Sequence, residues 1–489
     1  MRNTGTIKSL SNSGAISGGS GGNASRFSGV GGAGGAGIAN SHAITTLTNG
    51  GTISGGNGGN AITGGAGGVG VSNAGTITSL SNRGAISGAN GGNFTPTGAG
   101  GAGVSNAGTI TTLSNSGAIS GGIGGPPYTS GLGGMGGAGI ANSGTITTLT
   151  NQRTIAGGDG GPADFGGAGG AGVPNAGMIR TLSNAGKING GNGGGATGSG
   201  SKGGAGGAGV SNAGTITTLT NSGTIAGGSG GSGPFGADGG AGVSNASGAT
   251  IGVLSNANSG TIGGGGGGRG FFGVGAGGAG VWNAGTITTL TNGGTIEGGL
   301  GANGGPEADA ILSAGVHASI GPITNSGKII GNVEIDNQTS VTVTGGSGKT
   351  YGSWTGGTIT IGNGNLTFSG GNTSLGDNVE VNGGAGTVIN NGLLQIATLT
   401  PLTVTGSFAQ TAAGVLGLDF AGDLSGQYGA LSVSKLTTLD GGLAIDLTGG
   451  FTLATGDKFD ILGFAGLAGP GFDALALDGS ACSSAGTDK

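Results

Sequence analysis

Large apolar side chains recur in one fixed phrase through the first two-thirds of the chain. In residues 71–88 they fall on Val71, Ile77, Leu80 and Ile86, with Asn73 and Asn82 two places after the Val and the Leu. The stretch is two nine-residue units in tandem, each reading large aliphatic, small polar, Asn, any residue, Gly, small, Ile and two further small residues. The opening Val or Ile returns at Ile38, Val71, Val104, Ile140, Val173, Val210, Val243 and Val281, at spacings of 33, 33, 36, 33, 37, 33 and 38 residues. A degenerate copy follows at Val316. The eighteen-residue part keeps its length while the Gly-rich remainder varies, so the first reads as structural core and the second as loop or sidewall.

A helix does not suit the phrase, because Gly sits inside each unit and Thr, Ser, Asn and Ile dominate the rest. Short strands do. In Thr109-Ile110-Thr111 alternation sends Ile to one face and both Thr to the other, and the Asn-x-Gly before each strand supplies a turn. Two short strands and two corners per repeat then make one turn of a coil. The predicted fold class is all-β: a right-handed parallel β-helix, or β-solenoid, with Gly-rich loops and a C-terminal β capping segment. Its predicted segments are a repeat region at 1–335, irregular rungs at 336–400 and a terminal β segment at 401–489. Stacking would align Asn40, Asn73, Asn106, Asn142, Asn175, Asn212, Asn245 and Asn283 in one column. Asn49, Asn82, Asn115, Asn151, Asn184, Asn221, Asn256 and Asn292 would form another. A carboxamide both donates and accepts, so each column can bond rung to rung as a structural ladder; a polar binding row is the alternative. The Gly tracts read either as mobile loops or as extended segments packed backbone to backbone.

Composition narrows the class. Gly supplies 138 of 489 residues, charged residues 7% and aromatics 4%, and the mean hydropathy is +0.14 with a net charge of -5. That is the reverse of a disordered chain, and with 10 Pro and no strict every-third Gly it is not collagen. Residues 1–296 carry nine Lys/Arg and three Asp/Glu, the remainder five and sixteen. Single cations spread this thinly decorate a surface, and no nucleic-acid partner is expected. No phosphate-cradling motif follows the Gly runs, and no repeated Gly-Gly-x-Gly-x-Asp calls for calcium, so neither cofactor nor metal is expected. No apolar run is long enough for a transmembrane helix. The first residues carry no apolar signal segment, and Met1 already stands on the Val position of the repeat, which is what a fragment or a start codon placed too late would show.

Beyond Val333 the period is lost while strand-like alternation continues in Val341–Val343, Thr358–Ile361, Leu366–Phe368, Val379–Val381 and Leu394–Ile396. Trp354 and Tyr351 read as packing or capping residues. From Pro401 come Pro-Leu-Thr-Val-Thr-Gly-Ser-Phe-Ala-Gln, Gly-Val-Leu-Gly-Leu-Asp-Phe, Gly-Gln-Tyr-Gly-Ala-Leu-Ser-Val, Leu-Asp-Gly-Gly-Leu-Ala-Ile-Asp-Leu and Gly-Asp-Lys-Phe-Asp-Ile-Leu. In that order, over about residues 401–478, they resemble the C-terminal end of β-helical passenger regions in bacterial autotransporters and large surface adhesins. The Asn-Ser-Gly-Thr-Ile units resemble repeats of the same passengers. The resemblance implies a capping segment, secretion to the bacterial cell surface or outer membrane, and a part in adhesion and virulence. The partners it implies are surface molecules of a host or neighbouring cell, and a translocator β-barrel that this sequence does not contain. It also leaves Cys482 with a partner expected downstream.

No residue grouping argues for catalysis, and an enzyme is not expected. Asp440, Asp446, Asp457 and Asp460 are the densest acids but fall at strand ends and turns, and His42 and His317 stand alone. The leading expectation is an extracellular structural or adhesive rod. The alternative is ice binding: with Ile inward, Thr76/Thr78, Thr109/Thr111, Thr145/Thr147, Thr215/Thr217 and Thr286/Thr288 make outward Thr-x-Thr pairs in register. Lys8, Ala43, Met178, Arg180 and Gly252 interrupt their columns.

Overall fold

One turn, residues 210–242, shows how the repeat is built. The computed structural model describes residues 1–25, 29–93, 97–127, 131–305, 307–478 and 480–481; Cys482 lies outside them. Within the turn, strands Val210–Asn212, Thr215–Asn221 and Thr224–Ala226 are joined by tight corners. Val210, Ile216, Leu219 and Ile225 point inward and are wholly buried. Ile216 and Leu219 are three residues apart, which period-two alternation cannot place on one face. The chain resolves this with a bend at Thr217, the one position of that strand without a register partner in the next turn. The expected pair of short strands per repeat is therefore three strands, the longest of them bent. Successive turns pair in parallel, like on like: Val210 with Val243, Ile216 with Ile251, Leu219 with Leu254 and Ile225 with Ile262. The fold is an all-β parallel β-solenoid.

The Gly-rich tract is as ordered as the strands. Residues 227–232 run outward as two Gly-Gly-x triplets, 233–235 form the tip, and 236–242 return. Every third N–H on the outgoing limb reaches the next turn: Gly227 to Gly263 O at 3.0 Å, Gly230 to Gly266 O at 2.8 Å and Gly233 to Arg269 O at 2.9 Å. The N–H one place further on reaches the return limb of the preceding turn, Gly228 to Gly207 O and Gly231 to Gly204 O, both at 2.8 Å. The return limb closes on its own partner through Ala237 to Gly231 O and Gly240 to Gly228 O, and on the next turn through Gly239 to Ala276 O. A three-residue period with all bonds made between segments is the signature of extended, polyproline II-like chains. Two of three side-chain directions thus face other backbones. A Cβ added to Gly227 would overlap Gly240 O, and one on Gly228 would overlap Gly191 O. Only the third residue of each triplet, such as Ser229, Ser232 or Asp238, faces out. Of the two readings the sequence left open, the close-packed one holds.

The chain forms two compact units, residues 1–288 with 295–312 and residues 289–294 with 313–489. The second unit is coiled in the same way but has no Gly-Gly-x tracts. Its turns are shorter and include larger core side chains: one column runs Ile329, Trp354, Leu375, Ile396 and Leu418, all buried, and continues to the half-buried Ile445 and Leu477. Trp354, Phe368, Phe408 and Phe420 are its largest fully buried side chains. Strand Ala474–Leu477 takes Ser480–Ala481 as an antiparallel neighbour.

Candidate functional site

Corners decide where the polar side chains go. Asn212 follows Val210 by two, so alternation turns it inward just before a corner, where backbone carbonyls converge. Its Nδ2 donates to Asn245 Oδ1 at 2.9 Å, Thr250 O at 3.0 Å and Gly214 O at 3.1 Å, while its Oδ1 accepts from Asn175 Nδ2 at 2.8 Å. The same links join Asn3, Asn40, Asn73, Asn106, Asn142, Asn175, Asn212, Asn245 and Asn283 in one column. The other corner aligns Asn12, Asn49, Asn82, Asn115, Asn151, Asn184, Asn221 and Asn256. Asn292 donates to Asn325 in the second unit. All these amides are buried. They meet one another and the backbone, with no face left for a ligand.

A further ladder, which sequence reasoning passed over, runs along the exterior of the Gly tracts. Here the third residue of a triplet accepts a backbone N–H of the next turn: Asn90 N donates to Asn57 Oδ1, Ile123 N to Asn90 Oδ1, Asn192 N to Asp159 Oδ1 and Ser229 N to Asn192 Oδ1. The signal was present in the recurrence of Asn, Asp and Ser at the third place of many outgoing triplets.

The Thr pairs flank inward Ile residues as expected. Thr76, Thr109 and Thr145 lie in one register row, which Met178 continues before Thr215. The second row, Thr78, Thr111, Thr147 and Thr217, falls on the bend, where the pairing skips a residue. The second-row threonines therefore occupy the one unpaired position of each long strand, whereas the first row lies on paired positions. Thr288, two residues after Thr286, closes the first of the two stretches that make up the first unit.

Titratable groups are sparse. His42 and His317 are exposed at corners. Asp446 stands opposite Asp419 in adjacent rungs; burial, and then the Asp446 charge, push the Asp419 carboxyl above its usual range. Asp440 holds Asp473 by a side-chain hydrogen bond, which raises the Asp473 carboxyl. Asp457 Oδ2 accepts Ala454 N at 2.7 Å, and Asp460 N donates to Tyr428 Oη at 3.3 Å. Among the described residues no three His, Cys, Asp or Glu side chains gather to hold a metal ion, and no helix is long and apolar enough to cross a membrane.

What the sequence did not single out is the line of tips between the limbs. Val30, Leu132, Phe165, Phe235, Phe271 and Phe272 are all exposed there, in a chain whose other large side chains are mostly core. Tips stack turn on turn through Val30 with Thr63, Leu132 with Phe165 and Lys202 with Phe235. The interruption of Gly-Gly-x by an aromatic residue was the available mark. Comparison of the chain with protein-family models, with curated proteins and with solved structures finds no match.

Proposed function

We propose that this chain is the displayed, adhesive β-solenoid of a bacterial surface protein of the autotransporter type, acting by binding rather than by catalysis. The observation that carries the proposal is a rigid stack of near-identical turns whose described tips vary and include exposed Phe165, Phe235, Phe271 and Phe272. Bonded backbone in every limb and amide ladders at two corners fix the tips at about 4.8 Å intervals, a geometry suited to multivalent contact. The ordered motifs of residues 401–478 and their likeness to passenger C-termini support the extracellular setting. Binding partners on this reading are surface molecules of a host or neighbouring cell. Immunogold labelling of intact cells, together with saturable binding of the purified chain to cell layers, tests the proposal. Surface label and saturable binding are expected; label confined to the cytoplasm overturns it.

Ice binding is the second reading, favoured by the in-register first Thr row. It requires thermal hysteresis in the purified chain, lost when Thr109 and Thr145 are replaced by Lys. The bend beneath the second row argues for the adhesive reading over it.

A further inference from the structure

The tips of four successive turns in the first unit enclose a groove of about 640 Å³, lined among others by Thr197, Ser232, Pro234, Arg269, Phe271 and Asn303. Among the described residues no acid lines it. We infer that this groove is a binding site for a carboxylated saccharide, a sugar bearing a uronic or sialic acid group. The inference rests on the adhesive reading only for its biological setting.

The groove is shaped by an irregular strand pairing at the tips. Gly270–Gly273 pairs in parallel with Gly233–Phe235. The register is irregular, with Gly270–Gly273 opposing the shorter Gly233–Phe235, a bulge at the two Phe residues. Arg269 and Phe271 line the groove and Phe272 does not. Phe272 has its partner in Phe235, with ring centroids 5.9 Å apart. Phe271 has no ring partner among the described residues and is 94% exposed. The backbone of Arg269 is fixed at both ends: its N–H donates to Ser232 Oγ at 3.1 Å, and its carbonyl accepts Gly233 N at 2.9 Å. Its guanidinium meets no carboxylate and makes no hydrogen bond among the described residues, while the nearby cation Lys202 is matched with Asp238.

A free guanidinium held on rigid backbone is a fork for a carboxylate. Beside it the Phe271 ring and Pro234 offer flat apolar faces, which suit the C–H face of a pyranose better than a fully polar anion. The Ser232 hydroxyl accepts from Arg269 N and keeps its proton to donate. Thr197 Oγ1 donates to Ala163 O at 3.2 Å and can still accept. The Asn303 carboxamide is exposed and can do both. One cation, one apolar platform and a rim of neutral hydroxyl and amide groups match a ligand with one carboxylate, an apolar face and several hydroxyls. A phosphate or sulfate cluster would call for more cations.

Calorimetric titration of the full chain with sialyl-lactose and with a glucuronate-containing tetrasaccharide, each beside its carboxyl methyl ester, tests the site. At least one acid should bind, with its ester about tenfold weaker or worse, as loss of a charge-assisted bond predicts. Arg269→Ala and Phe271→Ala should each lose binding while Phe272→Ala retains it, all three keeping the far-UV spectrum of the parent. Failure of both saccharides to bind, binding indifferent to esterification and to Arg269→Ala, or equal binding of an acidic peptide overturns the inference. Cell binding that persists without saccharide binding removes the groove and leaves the adhesive reading standing. Cytoplasmic label with saccharide binding intact does the reverse.

Discussion

The two Asn columns and the exterior ladder use the same side chain under different rules. Asn106 must donate as well as accept: it receives Asn73 Nδ2 at 2.7 Å and gives to Asn142 Oδ1 at 2.8 Å, Thr145 O at 3.1 Å and Gly108 O at 3.2 Å. Asn90 needs only to accept, and Asp159 stands at the equivalent place in a later turn. Asn106→Ala is therefore expected to destabilise by about 2–4 kcal/mol, because it strips partners from buried groups that each cost about 1–3 kcal/mol unmet. Asn106→Asp should be as harmful at neutral pH and Asn90→Asp nearly silent, with urea midpoints as the measure. In the second unit Asp377 inverts the logic. Its Oδ1 accepts Gly357 N at 2.8 Å, its Oδ2 has no partner, and burial raises its carboxyl more than that bond lowers it. A carboxyl raised on folding contributes stability that is fully present below the ordinary Asp value of about 3.9 and is lost as pH rises through the folded value. Asp419 is raised in the same sense. Unfolding of residues 313–489 should thus occur at higher denaturant near pH 4 than at pH 7 where these groups dominate. Asp377→Asn should raise the pH 7 midpoint and flatten the dependence.

Among the elements, the bent strand and the Gly limbs differ in how far the sequence announced them. Inward Val, Ile and Leu and the Asn two places on were legible, since apolar period and turn chemistry speak directly to strands and corners. The bend was implicit in the three-residue gap between Ile and Leu. The Gly limbs were not legible, because rules built on apolar period are blind to segments that bury backbone against backbone; the informative feature was the phase of three. That phase makes a graded prediction. On the outgoing limbs the first place of each triplet is Gly in every tract, whereas Ala89 and Ala302 occupy the second. A Cβ on Gly91 would overlap Gly98 O across the same turn, and the opposing limb has no room to retreat. Gly91→Ala should cost about 2–3 kcal/mol as an overpacked site. Gly19 has open space where its Cβ would go, so in this chain Gly19→Ala should be neutral or slightly stabilising. The tip groove was beyond reach for a different reason: Arg269 and Phe271 meet Thr197 and Asn303 only once variable-length tracts have been aligned turn by turn.

At the scale of the molecule, each unit can be treated as a one-dimensional array in which a turn touches little beyond its neighbours. The first unit allows a sharp test, because residues 71–87 and 104–120 differ only at Ser79/Thr112 and Arg83/Ser116. Deleting residues 71–103 joins Gly70 to Val104 and offers Asn40 the Asn106 amide where Asn73 had been. Val104 N then falls near the place of Val71 N, and the bonds that Ile38 and Gly37 make to Gly70 and Val69 are retained. The shortened chain should keep its circular dichroism per residue and unfold at nearly the same temperature, since an internal turn is removed with one interface and an equivalent interface is re-formed. Deleting only residues 71–87 should behave quite otherwise. It leaves a Gly tract in place with no strands beneath it, sets the Asn columns two turns apart and interrupts the buried line of Ile and Leu. That variant is expected to lose cooperative unfolding across residues 1–288. If both deletions were equally tolerated, the turns would not be coupled through their strands, and the lateral bonding of the Gly limbs would have to be the dominant source of cohesion. If both were equally disruptive, nearest-neighbour coupling would be too narrow a description and stability would depend on the array as a whole.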